Sequence, residues 1–198
     1  RPDFAFRWSN SLGIFDVGLS HFYGTGREPL FQIDSDGSFN LFYAISNQTG
    51  LDVQATTGPV LWKFEGFVRD NDFQTVWAFA AGFEYTFGNI ANKGWDLGII
   101  GEYLFDNRDE LAFNSLQNDI FVGSRLALND IQSTEILFGG IFDLERSSRL
   151  FSVEGSRRFG QSWKAEIEVR LFNDIDQTEF LYFVREDSFL QLSLAKYF

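Results

Sequence analysis

Apolar and polar residues alternate along most of the chain with a period of two. The run from Trp163 to Phe172 shows it most clearly: Lys164, Glu166, Glu168 and Arg170 project to one side, and Ala165, Ile167, Val169 and Leu171 to the other. Successive side chains of a strand alternate between faces, so this spacing predicts a strand with one charged and one apolar side. Wound as a helix, the same run would scatter its charges around the axis. The pattern recurs. Lys63, Glu65 and Arg69 alternate with Trp62, Phe64 and Val68. Glu84 opposes Phe83 and Tyr85, Glu102 opposes Tyr103, Arg125 opposes Leu126, and Glu154 and Arg158 oppose Val153 and Phe159.

This alternation predicts strands near 3–9, 13–23, 41–57, 60–70, 74–87, 95–106, 118–129, 134–146, 149–159, 163–173 and 187–198. Neither a helical period nor a break in composition divides them, so residues 1–198 read as one domain. About ten residues per segment is the length with which a tilted strand crosses a bilayer. Short links at Ser11, Gly58-Pro59, Asn129-Asp130 and Gly160 alternate with long, polar ones at Gly24 to Gly37, Asp106 to Gln117 and Asn173 to Asp187. Bacterial outer-membrane barrels have short periplasmic turns and long outer loops. The fold expected is therefore all-β: an antiparallel up-and-down transmembrane β-barrel with about 10–12 strands in this chain. Parity adds a further expectation. Single-chain barrels have an even strand count, and with Phe198 on the periplasmic side the segment 3–9 would begin outside. The chain then reads as a C-terminal portion of a larger barrel that lacks upstream strand(s).

Composition sharpens the picture. The chain holds 25 Phe, 5 Trp and 6 Tyr, yet its mean hydropathy is −0.13. Alternation reconciles the two, with apolar rings on one face and charges on the other. Trp8, Phe22, Tyr23, Trp77, Phe87, Trp95, Phe105, Phe159, Trp163 and Phe172 fall near strand ends, as in the aromatic girdles of membrane barrels. A soluble all-β protein with a Phe-rich core is the competing reading, but it leaves many sheet edges to cover. The expected lumen-lining residues are Lys63, Glu65, Glu84, Glu102, Arg125, Glu154, Arg158, Lys164, Glu166, Glu168 and Arg170. Within this set, Lys63/Glu65, Glu154/Arg158 and the Lys164–Arg170 run suggest ion-pair ladders, because unpaired charges in a barrel interior are costly. The net charge of −12 argues against nucleic acid, whose phosphates need Lys and Arg. The absence of Cys excludes disulfides and thiolate metal sites. No cofactor is expected.

The chain ends Leu190-Gln191-Leu192-Ser193-Leu194-Ala195-Lys196-Tyr197-Phe198. A terminal Phe after alternating apolar residues resembles the C-terminal insertion signal of Gram-negative outer-membrane β-barrel proteins. In many such signals an aromatic residue stands two places before the final Phe. Here that place holds Lys196, and Tyr197 adjoins the end. Stretches such as Leu61-Trp62-Lys63-Phe64-Glu65 and Gly82-Phe83-Glu84-Tyr85-Thr86-Phe87 look like those of a little-characterised family of proteobacterial barrels. The resemblance implies an outer-membrane location and contact with that lipid bilayer. It also implies handling by the barrel assembly machinery during biogenesis, with Leu190, Leu192, Leu194, Tyr197 and Phe198 as the signal.

Candidate chemistry is sparse. His21, the single His, falls on the apolar side with Val17 and Leu19, away from Asp16 and Ser20, so a hydrolase constellation is not expected. Gly24-Thr25-Gly26-Arg27 lacks the Gly-Lys-Ser/Thr end of a phosphate loop. Asp34-Ser35-Asp36-Gly37 opens like a calcium loop, but the later ligands do not follow. Glu166 and Glu168 share a face, flanked by Lys164 and Arg170, which fits an ion ladder better than acid–base catalysis. Two functions follow: a channel or transport conduit with a charged lumen, or a structural outer-membrane component that binds an envelope protein partner.

Overall fold

The computed structural model describes residues 2–34, 36–108 and 116–198. Among the described residues thirteen strands follow in order: β1 (Phe4–Leu12), β2 (Phe15–Thr25), β3 (Leu30–Ile33), β4 (Phe39–Phe42), β5 (Ile45–Thr57), β6 (Val60–Asn71), β7 (Thr75–Ile90), β8 (Trp95–Asp106), β9 (Asn118–Ala127), β10 (Glu135–Asp143), β11 (Arg149–Phe159), β12 (Trp163–Asn173) and β13 (Phe189–Lys196). A short 3-10 turn, Phe180–Val184, interrupts the β12–β13 link. Eleven strands form one antiparallel sheet in the order β1-β2-β5-β6-β7-β8-β9-β10-β11-β12-β13, and β3 and β4 pair as a separate hairpin. The chain is thus all-β, with one large up-and-down antiparallel sheet.

Turn chemistry fixes one end of the sheet. Two-residue links join β1 to β2 and β5 to β6, each beginning with a glycine in the left-handed region, Gly13 at φ 67° and Gly58 at φ 61°. Glycine takes that conformation without a Cβ penalty, and two-residue hairpins favour it at the first central position. The other end carries the longer connections.

One expectation is corrected here. The segment 41–57 is not one strand: it breaks at Tyr43–Ala44, and its first part pairs with β3 from within the supposed loop after Gly24. β1 and β13 do not pair with each other, so the sheet is open at both edges. An antiparallel meander of eleven strands leaves its first and last strands running in the same direction, and an antiparallel seam between them cannot form.

Register assigns each residue to a face. The pairs Val17↔Val53, Val53↔Phe64, Phe64↔Ala81, Ala81↔Tyr103 and Tyr103↔Ile120 carry one apolar face across β2 to β9. Across β11 to β13 the same face runs through Gly155↔Ile167 and Ile167↔Leu192. This face is exposed along its length: Phe6 is 63%, Trp62 49%, Val122 49% and Leu192 72% accessible. Each strand packs chiefly against its hydrogen-bonded neighbours. Among the described residues, the buried apolar residues are Ala44, Ala55, Val76 and Ile175. The sheet is therefore a single layer without a core of its own.

Candidate functional site: the charged face and its outer end

The opposite face carries the charges. Lys63, Glu65, Glu84, Glu102, Arg125, Glu154, Arg158, Lys164, Glu166, Glu168 and Arg170 all fall on it by register, together with Arg7, Asp16, Asp52, Asp96 and Glu135. Every expected lumen residue thus shares one face. The ladder along β12 forms as expected, and the other expected partners differ. Among the described residues, no ion pair joins Lys63 to Glu65 or Glu154 to Arg158. Along β12, Lys164 meets Glu166 at 2.5 Å and Arg170 reaches Glu168 at 3.1 Å, as expected, and Arg170 also reaches across to Glu154 at 2.5 Å. Arg125 pairs diagonally with Glu135 at 2.6 Å. In a twisted antiparallel pair a long side chain reaches the diagonal neighbour on the next strand as readily as the residue two places along its own.

Charge is unevenly spread over this face. Near β11 to β13, carboxylates and cations alternate in contact around a recess lined by Glu154, Lys164, Glu166, Glu168, Gln191 and Ser193. Near β2 to β8, Asp16, Asp52, Glu65 and Glu102 surround Lys63 in a recess of about 410 Å³. Asp52 and Glu65 lie directly opposite each other, a like-charge pair that Arg7 partly relieves by bridging to Asp52 at 2.8 Å. Arg7 crosses β2 to do so, directly above Gly18. A Cβ at Gly18 would sit 2.6 Å from the guanidinium and closer still to the Asp52 carboxylate, so only glycine leaves room for the bridge. The same device places Phe121 on this face, lying flat over the paired Gly123 and Gly139.

The outer end, where the long links cluster, holds two networks that the alternation alone does not disclose. In the first, Glu28 accepts from Arg69 at 2.8 Å and from Arg108 at 2.5 Å, and Arg108 also donates to Asp106 at 2.7 Å. Asp106 is 4% exposed. Its hydrogen bond to Arg108, with help from Glu28, holds that guanidinium pKa above its ordinary value. This network ties the link after β2 to β6 and β8. In the second, Asp119, Asp143 and Glu179 approach one another around Arg146. Asp119 is 1% exposed and Glu179 5%. Burial, followed by the neighbouring Asp143 carboxylate, pushes the Glu179 pKa up to about 7. Both networks join strand residues to Glu28, Arg108, Arg146 and Glu179, which lie far apart in sequence and in links, where periodicity carries no signal. Asp119 and Asp143 are visible from the pattern as polar-face residues; Glu179 is not.

The remaining candidates fall as follows. Phe22 and Phe172, expected in the girdles, lie on the charged face near its outer end, beside Gln48 and Leu150 respectively. Trp8, Tyr23, Trp77, Phe87, Trp95, Phe105, Phe159 and Trp163 lie on the apolar face. His21 lies on that face too, with Nδ1 3.0 Å from the Thr49 hydroxyl. Asp34 and Asp36 serve the β3–β4 turn: Asp34 accepts from Gln32 and Asn40, and Asp36 from the Ser38 backbone. Ser35 lies outside the described residues. Among the described residues, no group of three or more His, Asp or Glu is arranged to hold a metal ion. Leu190, Leu192 and Leu194 line the apolar side of β13, the Tyr197 N–H donates to the Ser162 carbonyl at 2.7 Å, and Phe198 is fully exposed. Lys196 places its ammonium over the rings of Trp163 at 5.4 Å and Phe198 at 4.9 Å, two cation–π contacts at the end of β13.

Compared with protein-family models, with curated proteins and with solved structures, the chain matches none.

Proposed function

We propose that the sheet is the wall of a transmembrane β-barrel in the outer membrane of a Gram-negative bacterium, and that its charged face lines a conduit for ions or small solutes. One observation carries this reading: a single-layer sheet with a continuous exposed apolar face and a continuous charged one. A soluble domain buries its apolar face against a second layer. Here each strand packs chiefly against its sheet neighbours, and a bilayer is the medium that would cover such a face without one. The aromatic belt at the strand ends and the short-link, long-link alternation support it. Closure then requires an odd number of further strands, antiparallel to both β1 and β13. The largely uncompensated carboxylates near β2 to β8 favour cations over anions in the lumen. The reading assigns no catalytic role: His21 faces away from Asp16, Ser20 and the charged recesses.

Planar-bilayer recordings on the full-length protein, with a salt gradient across the membrane, test the proposal. A conducting, cation-preferring channel is expected. A protein that inserts with all its strands yet passes no current, or prefers anions, overturns it.

A second reading, a structural barrel that binds an envelope partner, draws on the β3–β4 hairpin, where Phe39 is 73% and Leu41 59% exposed beyond the strand ends. A stoichiometric partner retained from native membranes and lost with Phe39→Ser would favour it.

A further inference from the structure

The link between β12 and β13 is seated on the outer ends of β9, β10 and β11, and one buried acid sits at the centre of the seat. Four polar contacts hold the rim. The Asp176 N–H donates to Ser148 Oγ at 2.9 Å, Ser147 Oγ donates to the Asp174 carbonyl at 2.8 Å, Arg146 Nε donates to Thr178 Oγ1 at 3.1 Å, and Thr178 donates to Asp176 within the link itself. Inside this rim Glu179 points into the seat with its side chain 2% exposed. Both of its carboxyl oxygens are cut off from solvent without a hydrogen-bond partner, as is Asp143 Oδ2.

Among the described residues, the groups that face Glu179 come from three elements. Asp119 comes from β9 and Asp143 from the end of β10. Arg146, in the β10–β11 link, lies 3.6 Å from Glu179 and 3.7 Å from Asp143. Glu145 is turned away and accepts from Asn118 at 2.6 Å. Among the described residues, Asp119, Asp143 and Glu179 therefore share the Arg146 guanidinium, whose charge also acts on Asp176 at the rim, in a site that excludes water. With all three ionised, the excess negative charge is confined at low dielectric. One proton removes most of that cost.

We propose that the β12–β13 link is a pH-sensitive latch, seated while Glu179 is protonated and released when Glu179, Asp143 and Asp119 are all ionised. Once released into water, Glu179 returns to its ordinary value of 4.5, whereas in the seat it titrates near 7. The seated state therefore binds more protons. Seating is strongest below about pH 4.5 and weakens as pH rises through 7. The inference rests on the seat's own geometry, so it stands or falls apart from the conduit reading.

The 198 residues contain no Cys, which permits single-site labelling. Phe183 is 88% exposed on the 3-10 turn of the link, so a nitroxide on Phe183→Cys reports its mobility. The full chain in lipid vesicles is measured from pH 5 to 9. The expected result is an immobile spectrum at low pH that becomes mobile with a midpoint near 7. Glu179→Gln, which mimics the protonated acid, stays immobile throughout, and Asp143→Asn keeps the link seated to higher pH than the unsubstituted chain. A label at Ile131→Cys, 96% exposed in the β9–β10 link, does not respond. A flat profile for the unsubstituted chain, or a Glu179→Gln link that titrates or is mobile at every pH, overturns the proposal.

Discussion

Placing a charge at Ile167 tests whether lipid covers the apolar face. Ile167 is 40% exposed on that face, between Gly155 of β11 and Leu192 of β13. At roughly 3.3 Å per residue and a tilt of about 40°, each residue of a barrel strand rises roughly 2.5 Å along the membrane normal. The eleven residues of β12 then span roughly 25 Å, the height of the apolar band of outer-membrane barrels. In the proposed barrel Ile167, four residues beyond Trp163, would lie roughly 10 Å above the inner girdle and close to the midplane. Arg at that depth costs about 2–4 kcal/mol, which lowers the folding constant roughly 30- to 700-fold. Near the interface the cost drops to about 0–1 kcal/mol, and Phe159→Arg reports that position. Ser193→Arg, next to Ile167 in space but on the charged face, pairs with Glu166 across the strand and changes stability by less than about 1 kcal/mol. Urea titrations of folding into vesicles measure all three. If Ile167→Arg costs no more than Ser193→Arg, the apolar face is not in lipid.

Further outcomes follow from the charged face. Gly18→Val drives a side chain into the Arg7–Asp52 bridge and destabilises by about 1–3 kcal/mol, visible as a lower urea midpoint; Gly18→Ala costs less. Gly139→Val displaces Phe121 from its flat seat at a similar cost, and the same titration shows whether Phe121→Ala relieves the clash. Arg108→Ala leaves Asp106 buried without its guanidinium and costs about 3 kcal/mol. Arg108→Lys recovers part of this, because a single ammonium cannot serve both Asp106 and Glu28 as the fork does. Asp130 is held below its ordinary pKa by the Thr134 N–H and hydroxyl. Its contribution is present at neutral pH and lost as pH falls through the acid range, and Asp130→Asn flattens that part of a stability–pH curve.

The faces of β12 were legible because Lys164 to Leu171 alternate without a break, and register carries that assignment to every neighbouring strand. The whole expected lumen set accordingly falls on one face. The ion pairs along β12 were legible too, whereas partners across strands were not. Sequence order pairs Glu154 with Arg158, whereas the ladder between β11 and β12 sets Arg170 diagonal to Glu154. The break at Tyr43–Ala44 was hidden because Phe39 to Phe42 alternate as well as Ile45 to Thr57 do, and only the pairing of β4 with β3 separates them. The girdle placement of Phe22 and Phe172 failed for a related reason: proximity to a strand end says nothing about which face a ring occupies. Glu28, Arg108 and Glu179 lie in links, where the contact that matters depends on which other link is brought alongside.

The two-faced wall is tested most directly by a cysteine scan of β12 from Lys164 to Leu171 in vesicles, each site carrying a polarity-sensitive fluorophore. Blue-shifted emission at 165, 167, 169 and 171, alternating with water-like emission at 164, 166, 168 and 170, is the predicted result. Emission that is uniform along the strand, or water-like at both sets of sites, contradicts it.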